Sequence, residues 1–244
     1  MRRVRVYVAE LSAGARELPR EAAHYLATVH RLQAGDEFTA FDPERGVEAA
    51  ARVERSERGR VNAVFSEPEL AKSVRSGVTL YQALAKGDRI EQVLRAATAL
   101  AVDRVVLLQS ERCVEMAPPR PERVRSLVID AARQSGRGDL PNVVGPIAFD
   151  AMLESAARDD ALKLGLSPRA TNSLSARLER WRSGSPAAVL VGPEGGFTER
   201  ELVDAEAAGF LPSGLGPLVL RTELAAVVAL GCFAARLPTS AESV

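Results

Sequence analysis

The chain has 244 residues, of which 46% are hydrophobic and 26% are charged, a composition typical of a folded globular protein. No run of about 18 apolar residues occurs, which argues against a membrane-spanning helix. The 32 basic and 32 acidic residues cancel, which argues against a protein that binds nucleic acid by net charge alone. The opening stretch MRRVRVYVAE lacks the apolar core of a signal peptide, so we expect a cytoplasmic protein.

The cysteines and histidines form no pattern that would bind a metal. Cys113 and Cys232 lie far apart in the sequence, and His24 and His30 are six residues apart. A helix brings residues three or four apart onto one face, so this spacing does not pair the two imidazoles. We therefore expect neither a disulfide framework nor a metal site.

Residues 1 to about 70 have the pattern of short β-strands separated by turns. The stretch VRVYVAE alternates apolar and polar residues, and the strands in GDEFTAFD and GRVNAVFSE follow a turn that contains glycine. One amphipathic helix is predicted near residues 21–32, among these strands. The pattern predicts a small β-barrel with a helical plug, and we assign it to residues 1–70.

From Val78 onward, predicted strands alternate with predicted helices. The strands are VTLYQAL, DRVVLLQ, ALKLGLS and AAVLV. The helices are predicted from near Asp88, from Pro121 to Gly136, from Phe149 to Ala157, from Ser173 to Trp181 and from about Thr222. This alternation predicts a mostly parallel α/β sheet, whose ligands sit at the carboxyl ends of strands.

A glycine-rich loop, GPEGGF at residues 192–197, follows a predicted buried strand. Thr198 and Glu201 have the spacing of a capping box, so a helix is predicted to begin there and to end at Gly209. The glycines permit positive φ and close approach of a ligand. The loop lacks the Lys of a phosphate loop, and Glu194 would repel phosphate. We expect a ligand that carries an amine or sulfonium charge, with a tight turn that binds nothing as the alternative.

A second glycine-proline turn, Gly214 to Pro217, precedes a helix that is apolar nearly all round. Three polar residues stand at the entrance of this helix: Arg221, Thr222 and Glu223. Buried polar groups need partners or a function, so these residues are candidates for a site. An ion pair near Glu223 or a capped carbonyl group is the alternative for Arg221. Two such loops at two strand ends predict a pocket for one small molecule.

Five stretches of the chain together resemble the RsmE family. They are KGDRIEQVLRAATALAVDRVVLLQSERCV, RQSGRGDLP, LGLSPRATNSL, VGPEGGF and LGPLVLRTE. Members of this family are SPOUT-class methyltransferases that use S-adenosylmethionine to methylate N3 of a uridine in small-subunit (16S) ribosomal RNA. The resemblance covers nearly the whole chain. It implies a PUA-like RNA-binding barrel at residues 1–70 and a SPOUT methyltransferase domain at residues 75–240, with a deep trefoil knot and a homodimer.

The chain departs from the family pattern at five positions. The family usually has Lys, Glu and Gly where this chain has Arg95, Ala99 and Ala101. It often has His at Ser167 and Thr at Leu224. The loss of a carboxylate at Ala99 puts any structural ion pair there in doubt, whereas both glycine loops match well.

The resemblance implies that the two loops hold S-adenosylmethionine, largely through backbone groups. The predicted cofactor-binding residues are Leu166, Pro168, Val191, Gly192, Pro193, Glu194, Gly195, Gly196, Leu215, Gly216, Leu218, Leu220 and Arg221. Methylation of uridine N3 requires loss of the imide proton, so a cation would stabilise the developing charge and a carboxylate could accept the proton. We predict Arg221 as a catalytic residue, with Glu194 and Glu223 as further candidates.

The predicted RNA-binding residues are Arg5, Arg112, Arg133, Gln134 and Arg137, with Arg2 and Arg3 beside Arg5. A Gln between arginines can contact a base edge while the arginines bind phosphates. Arginines that stabilise a helix C-terminus are the alternative for the RQSGRG stretch. Arg greatly outnumbers Lys, which suits planar contacts with RNA but follows equally from a GC-rich genome.

The expected partners are small-subunit ribosomal RNA, within the ribosomal subunit, and a second copy of the chain, with no membrane and no metal. The apolar helix at residues 222–237 is consistent with burial in a dimer, but burial in the core explains it equally. Two alternative functions stay open: methylation of a ribose 2′-OH or a guanine, and RNA binding without catalysis. Ala99 and Leu224 give the second alternative slight support.

Overall fold

The computed structural model describes residues 4–57, 59–113, 118–157 and 159–239. The chain divides into two compact units. The first consists of Met1–Val74 with Ile129–Leu140, and the second consists of Arg75–Val128 with Pro141–Val244.

The first unit is built on a β-sheet with strand order β1-β3-β4-β5-β2, and β6 pairs with β4. Its strands are β1 (Arg5–Tyr7), β2 (Gly14–Glu17), β3 (Glu37–Asp42), β4 (Val47–Glu57), β5 (Arg60–Phe65) and β6 (Glu69–Leu70). β1 pairs with β3 in parallel, and the other pairs are antiparallel.

A short helix fills the core of this unit. Helix α1 (Arg20–His24) continues as a π-helix over Tyr25–Val29. Alternate residues of β4 and β5, such as Val53 and Phe65, pack with Leu26 of the π-helical stretch. The period-2 pattern of the strands therefore buries one face of the sheet against the helix, as the sequence predicts for this part of the chain.

Two local features of the first unit differ from the prediction. The predicted helix at residues 21–32 is α-helical only as far as His24, because apolar spacing does not distinguish an α-helix from a π-helix. Strands β2 and β6 were not predicted, since their residues are exposed or half-buried and carry no apolar alternation.

The second unit contains a parallel sheet with strand order β12-β10-β11-β7-β8-β9. Its strands are β7 (Val78–Ala83), β8 (Arg104–Gln109), β9 (Asn142–Ala148), β10 (Leu162–Leu166), β11 (Ala187–Val191) and β12 (Leu211–Ser213). The helices are α2 (Arg89–Ala99), α3 (Pro121–Ser135), α4 (Phe149–Ala156), α5 (Leu174–Arg177) with a 3₁₀ turn at Leu178–Arg180, α6 (Glu199–Ala207) and α7 (Thr222–Ala234). The predicted mostly parallel α/β sheet is confirmed.

Helices cover both faces of this sheet. Val189 and Val191 of β11 face a core that includes residues of α2 and α7. Leu190, between them, faces a second core with Phe149 of α4 and Phe197. Strands buried on both faces read as continuous apolar runs, which is why AAVLV is apolar throughout.

Three elements of the second unit were not predicted, or not at their observed length. The stretch NVVGPI forms strand β9, although it contains a proline and a bulge in its pairing with β8. Strand β12 has only three residues, too few for a pattern to be read. The helix predicted from Ser173 to Trp181 is a single α-helical turn followed by a 3₁₀ turn.

Candidate functional site

A pocket opens at the carboxyl ends of three neighbouring strands. β10 lies between β11 and β12 in the sheet, so the segments that follow these three strands meet at one edge. They enclose a cavity of about 580 Å³. Every residue that the sequence predicts as cofactor-binding lies on the wall of this cavity. The structure thus brings together the two glycine loops and Leu166 with Pro168, while cofactor binding by these residues stays a prediction.

A close contact and a backbone conformation explain two glycines of the first loop. A Cβ atom at Gly192 would lie 3.1 Å from the ring of Phe197. Gly196 has φ of +67°, in the left-handed region that favours glycine. A side chain at Gly192 would crowd the loop and one at Gly196 would strain it, whereas a Cβ atom at Gly195 would only make an ordinary contact with Arg112.

The start of α6 fixes the end of this loop. Thr198 accepts a hydrogen bond from the backbone N–H of Glu201, and the Glu201 carboxylate accepts one from the N–H of Thr198, so the predicted capping box is confirmed. Glu201 is 5% exposed and also accepts the N–H of Glu111 at 2.8 Å. Arg112 donates to the carbonyl groups of Gly195 and Phe197 at 3.2 and 3.4 Å. The segment after β8 is therefore attached to the glycine loop.

A buried hydrogen-bond chain joins the first loop to α7. Thr222 Oγ1 donates to the carbonyl oxygen of Gly192 at 2.6 Å and accepts from Gln82 Nε2 at 3.0 Å. The Gln82 amide also donates to the carbonyl of Ala83, and its side chain is fully buried. Gln82 was not predicted from the sequence, where its only signal is one amide near the end of a mostly apolar strand, VTLYQAL.

The two predicted carboxylates share one arginine. Glu194 Oε1 accepts hydrogen bonds from Arg89 Nη1 and from the backbone N–H of Lys86, the latter at 2.9 Å. Arg89 Nε lies 3.5 Å from Glu223 Oε2. Burial acts to raise the pKa of Glu194, but the hydrogen bonds from Lys86, from its own backbone N–H and from Arg89 outweigh it and lower that pKa. Glu194 lines the cavity, and the cavity wall does not include Glu223 among the residues described.

Arg221 stands at the entrance of α7 with its side chain exposed. It is the N-cap residue of that helix and lines the cavity. Within the described part of the chain, its guanidinium makes no hydrogen bond or ion pair, and Glu223 pairs with Arg89. The alternative of an ion pair with Glu223 therefore does not apply to Arg221.

Comparison with known proteins identifies the family. A family model described as an RNA methyltransferase domain matches residues 72–234, and an RNA methyltransferase PUA domain matches residues 18–66. The ribosomal RNA small subunit methyltransferase E of Mycobacterium bovis is 35% identical over 218 residues, which cover 85% of this chain and 81% of that protein. The chain belongs to the ribosomal RNA small subunit methyltransferase E (RsmE) family. The resemblance found in the motifs is confirmed.

A further relative is similar in sequence, and two solved structures share the fold of this chain. The enzyme of a Synechocystis species is 34% identical over 85% of this chain and 68% of that protein. A crystal structure of the Neisseria gonorrhoeae enzyme, bound to S-adenosyl methionine, has a TM-score of 0.77 at 32% identity over 95% of this chain and 96% of that one. A Legionella pneumophila methyltransferase in complex with the same cofactor has a TM-score of 0.81 at 29% identity and covers 96% of this chain and 98% of that one. The trefoil knot stays a prediction.

The predicted RNA-binding residues of this RsmE family member differ in their surroundings. The Arg5 side chain is 10% exposed, pairs with Glu48 and donates to the carbonyl of Arg137 at 3.2 Å. The Arg137 side chain is 4% exposed and pairs with Asp139. Both arginines therefore have structural contacts within the first unit, and their contribution to RNA binding stays a prediction.

The remaining predicted RNA-binding residues are more accessible. Gln134 is exposed and donates to Asp130. Arg133 pairs with Asp130 and lies over the ring of Tyr25, 4.2 Å from its centroid. Arg112 lies at the cavity of the second unit. Arg2 and Arg3 lie outside the described residues.

The described ranges hold no group of three or more His, Cys, Asp or Glu residues that could bind a metal ion. Both cysteines are free thiols. None of the helices that the structure describes has the length and apolar character needed to cross a membrane.

Proposed function

We propose that the protein transfers a methyl group from S-adenosylmethionine to N3 of a uridine in small-subunit ribosomal RNA. The observation that carries this proposal is the cavity at the ends of β10, β11 and β12, whose wall contains both glycine loops. Membership of the RsmE family gives the reaction class, and the cofactor in the solved relative from Neisseria gonorrhoeae supports the ligand.

The residues of the pocket fit S-adenosylmethionine. The cavity volume of about 580 Å³ lies within the range of small-molecule sites, about 300–1,000 Å³. Leu166 and Pro168 offer apolar surface, and the loops around Gly195 and Gly216 bring backbone to the wall with no side chain at those two positions. When bound, S-adenosylmethionine supplies a methyl group on a positively charged sulfur. The wall carries the carboxylates of Glu194 and Glu199 and the guanidinium groups of Arg112, Arg169 and Arg221. It therefore offers charges of both signs to a cofactor that has sulfonium, ammonium and carboxylate groups.

The charge partners of Arg221, Glu194 and Glu223 support different roles for the three side chains. The Arg221 guanidinium has no partner within the described residues and lines the cavity, which supports a role in stabilising negative charge on a uracil that loses its imide proton. Glu194 has a lowered pKa and two donors, so it stays ionised near neutral pH. This supports electrostatic attraction of the cofactor more than proton acceptance. Glu223 pairs with Arg89 and is not among the described residues of the cavity wall, so it is a weaker candidate for proton transfer.

We assign RNA binding to the PUA-like domain at residues 1–70 together with Arg112, Arg133 and Gln134, and methyl transfer to residues 75–240. A second copy of the chain completes the proposed enzyme. Its support is exposed apolar surface near α7, where Leu218, Val219 and Leu224 are 76%, 79% and 47% exposed. We place the reaction in the cytoplasm, on assembled small subunits.

Methyl transfer from labelled S-adenosylmethionine to small ribosomal subunits that lack the modification tests this function. Nucleoside mass spectrometry of the product should detect 3-methyluridine. A ribose-methylated nucleoside or a methylguanosine would contradict the proposed position. Calorimetry with S-adenosylmethionine alone should detect binding, and its absence together with absent transfer would favour an RNA-binding protein without catalysis.

A further inference from the structure

Arg89 connects two parts of the pocket without lining it. It is the first residue of α2, and its guanidinium contacts Glu194 in the first glycine loop and Glu223 in the first turn of α7. The exposed fractions of the three side chains are 26%, 28% and 16%. Arg89 is absent from the described residues of the cavity wall, so it would act on a ligand through its two partners.

The position of Arg89 is unfavourable for the helix that carries it. The N-terminus of a helix bears partial positive charge, so a cation in the first turn is repelled by the helix dipole. Two carboxylates from other elements compensate this repulsion at Arg89. In return, Arg89 compensates Glu223, whose Oε2 atom is buried and accepts no hydrogen bond from the described residues. Removing the guanidinium would leave that carboxylate buried without a counter-charge.

The turn before α2 contacts the same loop a second time. The backbone N–H of Lys86 donates to Glu194 Oε1, the oxygen that also accepts from Arg89. Glu194 is flanked by Pro193 and Gly195, and glycine-rich backbone loses much conformational freedom when it is ordered. Contacts at Glu194 therefore order a segment that its own residues would leave flexible.

We infer that Arg89 is a positioning residue for the cofactor pocket: it holds the loop at residues 192–197 against the start of α7 and so prepares the pocket for the ligand. The inference rests on the proposed function for the identity of that ligand. Arg89→Gln should raise the Kd and the KM for S-adenosylmethionine about tenfold, as loss of a charge-assisted hydrogen bond would. The kcat at saturating cofactor should change less than about threefold, because the bound cofactor itself would then hold the loop in place.

Two further variants separate positioning from general stability. Arg89→Lys keeps the charge but not the planar fork, so it should recover part of the affinity. Arg123→Gln is the matched control. Arg123 of α3 makes a comparable pair with Glu91, which lies on α2 as Arg89 does, and the distance from Arg123 Nε to Glu91 Oε1 is 2.8 Å. That pair is outside the cavity wall, and the control variant should bind the cofactor as the unaltered chain does.

Hydrogen exchange of the ligand-free protein tests the loop itself. Amides of residues 192–197 should exchange faster in Arg89→Gln than in Arg123→Gln, whereas β7 and β11 should not differ. Equal exchange in this loop and an unchanged Kd would overturn the inference. Failure of the unaltered chain to bind S-adenosylmethionine would instead overturn the proposed function and the cofactor part of the inference. The exchange comparison would still decide whether Arg89 orders the loop.

Discussion

Arg221 is set apart from the other arginines at the pocket by what surrounds it. Arg112 donates to the carbonyls of the first glycine loop, and Arg169 lies 3.5 Å from the carboxylate of Glu199. Arg221 has no such partner in the described residues, and it sits at the positive end of α7. An uncompensated guanidinium at a helix N-terminus is a site for negative charge, whether on the substrate or in the transition state.

We therefore expect Arg221→Ala to lower kcat by about 10²-fold, the size seen when one stabilising donor is removed from a reacting oxyanion. The Kd for S-adenosylmethionine should change less than about threefold, since the cofactor is predicted to bind largely through backbone groups. Methyl-transfer kinetics and calorimetry measure the two effects separately. Arg236→Ala, which removes an exposed arginine after the other end of α7, is the control. Equal losses of kcat and of cofactor affinity in Arg221→Ala would refute the catalytic assignment.

The sequence identified those site residues whose signal is local. Glycine spacing and the capping box at Thr198 lie within one short stretch, and both follow from backbone geometry. Arg89 could not be identified in this way, because 105 residues separate it from Glu194. The hydrogen bond between Gln82 and Thr222 was not predicted for the same reason, since 140 residues separate the two. Such pairs depend on the order of strands in the sheet, which one sequence does not specify.

At the scale of single elements, two helices end in the same backbone motif with different residues. At the end of α6, the N–H of Phe210 donates to the carbonyl of Ala205 past Gly209, which has φ of +93°. At the end of α2, the N–H of Val102 donates to the carbonyl of Ala97 past Ala101, which has φ of +61°. A left-handed residue at this position is normally glycine, and the family resemblance implies glycine at Ala101 as well.

Ala101→Gly should stabilise the protein by about 1 kcal/mol, because it relieves the left-handed strain of an alanine. In a domain of this size the midpoint of thermal unfolding should rise by about 2–4 °C. Ala96→Gly, five residues earlier and inside α2, should have the opposite sign and destabilise by about 0.5–1 kcal/mol. Thermal and urea unfolding of the two variants measures both effects. A destabilised Ala101→Gly variant would mean that burial of its methyl group outweighs the strain.

At the scale of the whole molecule, the first compact unit is not one continuous stretch of the chain, because it also includes residues 129–140. Helix α3 begins in the second unit, but residues from Ile129 onward belong to the first. The composition of the chain gives no sign of this return, because a single amphipathic helix spans the change. The alternation of strands and helices identified the two kinds of architecture, and the strand order and the helix shared by both units depend on contacts between distant residues.

The segment 129–140 has specific contacts with the barrel strands and the π-helix. Arg5 donates to the carbonyls of Ala132 and Arg137, and the guanidinium of Arg133 lies over the ring of Tyr25. Gly138 packs so closely that a Cβ atom there would lie 2.6 Å from Cβ of Ala71. A fragment that stops at residue 74 loses all of these contacts and exposes the surface they cover.

We therefore expect the isolated fragment 1–74 to unfold at a clearly lower urea concentration than a fusion of 1–74 with 129–140 through a flexible Gly/Ser linker. Small domains are marginally stable, so the loss of a buried arginine's partners and of packed surface is a large share of the total. The fusion should give a cooperative transition and a dispersed amide NMR spectrum. The fragment should give a broad transition and poor dispersion. Equal midpoints for the two proteins would mean that the strands and the helix of residues 1–74 suffice for this fold without the returning segment.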